Sequence, residues 1–116
     1  MKINMNYLID QINYNAGCDY EYYRLGRNFY KKHGYGVDLD HPNTPEKKAV
    51  AYACRLHDRS GAELIACFEL LDIHGEERSR AYSAARAMRR WYNDTRYERS
   101  APETLLIRIG KYIEGV

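Results

Sequence analysis

Residues 46–73, EKKAVAYACRLHDRSGAELIACFELLDI, decide the fold, and they read in two ways. The alanine content favours a helical pair broken at Ser60-Gly61. So does the lead-in Thr44-Pro45-Glu46, a capping residue followed by proline at the first helical position. Alternation favours strands: Tyr52, Cys54 and Leu56 fall on one side of an extended chain, and Leu64, Ala66 and Phe68 on the matching side. Between the two runs, Asp58-Arg59-Ser60-Gly61 suits a type I turn that ends with glycine in the left-handed region. Alternation and turn together predict a β-hairpin, with strands at 50–57 and 62–70.

Outward from this unit the periodicity becomes helical. Upstream, Met5, Leu8, Ile9 and Ile12 share one side of a predicted helix at 3–15, and Asn15 with Gly17 supplies a stop. Asp19 can cap a second helix, 20–33, with Leu25 and Phe29 as its inner stripe and Gly34 at its end. Gly26 weakens that helix by about 1 kcal/mol relative to alanine. Residues 35–45, with one glycine and two prolines, read as a loop. Downstream, His74-Gly75 closes the central unit and a long helix runs over 78–99. Ser100, with Pro102 in the first turn, opens a last helix whose apolar side is Leu105, Leu106, Ile109, Tyr112 and Ile113. The tail 102–116 resembles the closing helix of repressor-type helix-turn-helix domains, but no recognition-helix pattern precedes it, so no function follows from the likeness. The expected fold is a single compact domain over 1–116, α+β and mostly helical. It has two N-terminal helices, a central β-hairpin, one long arginine-rich helix and a C-terminal helix. The alternative is an all-α bundle of five to six short helices.

Charge is unevenly spread. Residues 78–99 carry seven arginines against Asp94 and Glu98, whereas the chain as a whole is only +2. On a helical wheel Arg78, Arg86, Arg89 and Arg96 fall within about 80° of one another, with Tyr82 inside the sector and Arg90 and Tyr97 on its shoulder. Ala81, Ala84, Ala85, Met88 and Tyr92 form a separate apolar stripe. A second basic and aromatic face is expected on the helix at 20–33, from Tyr20, Arg24, Arg27 and Lys31. Guanidinium forks grip phosphate and carboxylate oxygens, and tyrosines stack on bases. The twelve tyrosines, against two phenylalanines and one tryptophan, suit half-buried and interfacial positions.

Metal chemistry is weakly signalled. Cys54-x-x-His57 with Cys67 and His74, the loop Asp38-x-Asp40-His41, and the pair His57-Asp58 hold suitable donor types, but neither fold reading converges them on one ion. Nucleophile elbows, phosphate-cradling loops and dinucleotide fingerprints are missing. Three sparse cysteines do not form a disulfide framework, and apolar runs such as 64–68 are too short to span a bilayer. The expectation is a cytoplasmic, non-enzymatic binding protein without cofactor or membrane partner, a monomer or homodimer. Its Arg/Tyr-rich helical face would dock on nucleic acid or a nucleic-acid-binding protein complex. The alternative is a stoichiometric inhibitor or adaptor encoded by a phage or mobile element. It would act by protein–protein contact on a host complex such as a defence nuclease.

Overall fold

The computed structural model describes residues 5–95 and, beyond them, 107, 109–111, 113 and 115. The described regular structure is all helical: α1 spans Met5–His33, α2 Pro45–Leu70 and α3 Gly75–Thr95. Further helical residues lie at 107, 109–111 and 113. The central β-hairpin is therefore overturned, and the all-α alternative has the right class. The described helices α1, α2 and α3 are longer than the short ones of that alternative. Arg96 to Leu106, including the predicted start of the last helix, lie outside the described residues.

Both expected breaks are mid-helix, for one physical reason. α2 runs unbroken through Ser60-Gly61, and α1 through Asn15 and Gly17. Ser60 is buried; its hydroxyl donates to the His57 carbonyl at 2.9 Å, one turn back. Asn15 is also buried, and its Nδ2 donates to Ser60 Oγ at 3.0 Å. A Cβ on Gly61 would meet only Asn15 Nδ2, at 3.9 Å. Residues that make turns in isolation here let two helices approach and bond across their contact. Burial on α2 follows a helical step, through Val50, Ala53, Ser60, Leu64, Cys67 and Phe68, so the alternation at 52–56 was not a strand signal.

Of the helix boundaries that rest on capping, those at Thr44 and Gly34 stand, whereas Asp19 lies mid-helix in α1 and caps nothing. Thr44 Oγ1 accepts from the Lys47 amide at 3.2 Å, and Pro45 occupies the first turn. Gly34, at φ 78°, ends α1 and bonds back to the Tyr30 carbonyl. α2 ends earlier than His74-Gly75. Asp72 adopts φ 55°, its amide bonds to the Glu69 carbonyl, and the Ile73 amide bonds to the Phe68 carbonyl. This is a Schellman closure with aspartate where glycine is usual, sealed by buried Ile73 and Phe68.

α1 and α2 are antiparallel: Asn15 faces Ser60, Asp19 faces His57, and His33 faces Glu46. α3 lays the predicted stripe Ala81, Ala84, Ala85, Met88 and Tyr92 against them, each almost fully buried. Leu8, Ile12, Ala16 and Tyr20 of α1, Leu64, Cys67 and Phe68 of α2, and Ile109 and Ile113 complete this core. The far half of the α1–α2 pair, with buried Phe29, Val50, Ala51 and Ala53, extends past that core as a two-helix arm. The molecule is accordingly elongated, 49 × 27 × 18 Å.

Candidate functional site

The arginines of α3 divide into three kinds. Arg78 and Arg80 are structural. Arg78 bonds Glu69 at 3.1 Å and packs 5.5 Å from the centre of the Phe68 ring, and its guanidinium is pushed up by hydrogen bonds to Tyr82 first and Glu69 second. Arg80 donates to the Ile113 carbonyl at 2.9 Å and lies 3.7 Å from Glu76. Arg89 is half-buried and donates to Asn15 Oδ1 at 3.3 Å. Arg86 and Arg90 are exposed; Arg86 bonds Ser83 Oγ, at 3.2 Å. Among the described residues, no acid lies within ion-pair distance of Arg86, Arg89 or Arg90.

The predicted sector is therefore only partly a free surface. Tyr82, Arg89, Asn15 and His57 line a hollow of about 470 Å³ between the three helices, with Asp58 and Ile65 on its wall. The structure thus brings Tyr82 and Arg89 together and leaves Arg86 and Arg90 on the adjoining outer surface. Arg78 is turned to α2. Arg96 and Tyr97 lie outside the described residues. Asn15 and His57 were not expected here. Asn15 read as a helix stop, and its role shows only once residues 45 and 74 positions away are placed beside it. His57 Nε2 bonds Asp19 Oδ1 at 2.9 Å, and its ring packs on Tyr22 and Tyr23.

The second predicted face, on α1, is also divided. Tyr20 is buried in the core, a correction to its placement on the surface; the apolar spacing Leu8, Ile12, Ala16, Tyr20 carries it inward. Arg24 is paired to Glu21 at 2.7 Å, which pushes its guanidinium up. Arg27 and Lys31 are exposed, and among the described residues neither has an acid at ion-pair distance.

On the other side of the α1–α2 pair, an apolar groove of about 540 Å³ runs between Tyr14, Leu25, Tyr52 and Leu56, with Asp10 and Glu21 among its lining residues. Among the described residues no three His, Cys, Asp or Glu side chains are grouped to hold a metal ion. Cys67 is buried, which pushes its thiol up, while Cys18 and Cys54 are half-buried. No described helix is long and apolar enough to cross a membrane. No family model, curated protein or solved structure matches this chain.

Proposed function

We propose that this protein is a non-enzymatic binding module that docks the outer surface of α3 on the phosphates of a nucleic acid, alone or within a nucleoprotein complex. The observation that carries this reading is the set Arg86, Arg89 and Arg90. These three guanidiniums share one side of the molecule without a described acid at ion-pair distance, whereas Arg24, Arg59, Arg78 and Arg80 each have one. Partly buried cations are normally paired, and an arriving phosphate would complete Arg89. Tyr82 at the mouth of the hollow adds a flat surface for a sugar or base. Three unpaired cysteines agree with a reducing, cytoplasmic setting, and a monomer or a homodimer would present this face equally well.

The test is charge reversal at the two exposed positions, Arg86→Glu with Arg90→Glu, which leaves the Arg89–Asn15 bond in place. Binding to random duplex and single strand is measured against salt. Wild type is expected to lose affinity linearly in log–log form, with a slope near −0.9 per duplex phosphate, or about −3 for three contacts. The double variant should lose duplex binding without losing its melting transition. Equal duplex binding by both proteins would sink the reading.

The apolar groove between Tyr14 and Tyr52, with its two acids, favours a second reading, a stoichiometric inhibitor or adaptor directed at a protein. In that case a pull-down from the source cell would survive nuclease treatment and depend little on salt.

A further inference from the structure

The two-helix arm carries a second concave site, separate from α3. Its centre is Gly26, in the middle of α1. Glycine there costs about 1 kcal/mol relative to alanine, and no close neighbour requires it: a Cβ at Gly26 would have nothing within 4 Å. Gly26 lines a hollow of about 410 Å³. Its walls are aromatic and apolar. Tyr23, 52% exposed, lies on the preceding turn and Tyr30, 60% exposed, on the following one, while Val37 and Leu39 close it from the loop. Tyr22 and Tyr23 are held by mutual ring packing at 5.1 Å and by His57, which Asp19 fixes in turn.

The charge at this hollow has one sign. Arg27 and Lys31 line it and no acid does. Among the described residues, Arg27 Nε bonds the Tyr23 carbonyl, at 3.3 Å, and no acid. Of the acids in the neighbouring loop and at the α2 start, Asp38 bonds His41 and Glu46 bonds Lys32 and His33, while Asp40 is exposed and does not line the hollow. Exposed π-faces beside unpaired cations are the combination by which single strands are bound, base on ring and phosphate on cation. The volume falls within the roughly 300–1,000 Å³ of small-ligand sites.

We propose that the Gly26 hollow binds a nucleotide unit, its base stacked on Tyr23 or Tyr30 and its phosphate held by Arg27 and Lys31. The nucleotide can come from an unpaired strand or be free in solution, and the chemistry at the hollow is the same. The site does not depend on the α3 reading.

The decisive variant is Gly26→Leu. It puts a branched side chain into the hollow from a Cβ that meets nothing within 4 Å, and it replaces glycine by a better helix former, so its melting temperature should equal or exceed that of wild type. Binding is followed by fluorescence anisotropy with a labelled single strand of about eight nucleotides, within the usual site size, and by calorimetry with adenosine monophosphate. Gly26→Leu and Tyr30→Ala are each expected to weaken single-strand binding about tenfold or more. Binding of the strand alone assigns the site to unpaired nucleic acid. Binding of the mononucleotide with similar strength, in competition with the strand, assigns it to free nucleotide. The α3 variant Arg86→Glu with Arg90→Glu should leave short-strand binding within about twofold, because the short strand occupies only the arm. If wild type binds neither probe, or if Gly26→Leu binds as wild type does, the proposal is overturned. Loss in the α3 variant with no change in Gly26→Leu would overturn it while leaving the α3 reading intact.

Discussion

The Asn15 carboxamide joins all three helices, giving its amide to Ser60 on α2 and its oxygen to Arg89 on α3. A buried polar group of this kind stabilises only while both ends are satisfied. Asn15→Leu keeps the volume close but leaves a half-buried guanidinium without its acceptor and Ser60 without one donor. It should destabilise the fold by about 1–3 kcal/mol in urea unfolding. A loss below about 0.5 kcal/mol, as for an ordinary surface change, would mean that water replaces the carboxamide without cost. The same residue shows why the candidate site was only half legible. Arg86 and Arg90 were readable as exposed from the wheel alone. Arg78 and Arg89 were not readable as engaged, because their partners, Glu69 and Asn15, lie on other helices.

At the level of the element, the contrast between α2 and α3 decides what the pattern can carry. The stripe of α3 was legible because small and apolar residues recur over about three turns with no competing period, and every one of them is buried. In α2 the alternation of Tyr52, Cys54 and Leu56 competed with the helical step, and Ser60-Gly61 added a turn signal. Serine and glycine favour turns when the backbone is free, but they are also what a close helix crossing accepts. The two interpretations make opposite predictions for Gly61→Ala. In a left-handed turn position alanine would be strained. In the helix its methyl meets a single atom at 3.9 Å, so the substitution should stabilise by up to about 1 kcal/mol. Chemical denaturation of this one variant checks the continuity of α2, and a destabilisation of similar size would restore the turn.

For the molecule as a whole, its elongation, with a radius of gyration of 15.9 Å against about 13 Å for a compact chain of this size, makes stability uneven. The three-helix body carries the main core, while the described buried residues of the arm, Phe29, Val50, Ala51 and Ala53, are few and small apart from the phenylalanine. Fewer buried contacts mean a lower free energy of local opening. The arm is clasped near its tip by Glu46, which takes His33 at 3.2 Å and Lys32 at 3.4 Å. The His33 hydrogen bond, with Lys32 behind it, holds the Glu46 carboxyl below its ordinary value of 4.5. A carboxylate lowered by folding stabilises above its unfolded value, and that support is lost as pH falls through the folded one. Hydrogen exchange corrected for intrinsic rates should therefore show amides at 24–33 and 46–56 losing protection first, as pH drops from about 5 towards 3. Those at 8–16 and 81–92 should hold. In Glu46→Gln the arm should already be less protected at neutral pH, and its pH response should flatten. Uniform loss along α1 would show one cooperative unit. The coupling to the nucleotide hollow follows directly, because Gly26, Tyr30 and Leu39 all belong to the arm. Saturating ligand should raise protection at 24–33 and leave 81–92 unchanged, and the reverse order would place the ligand on α3.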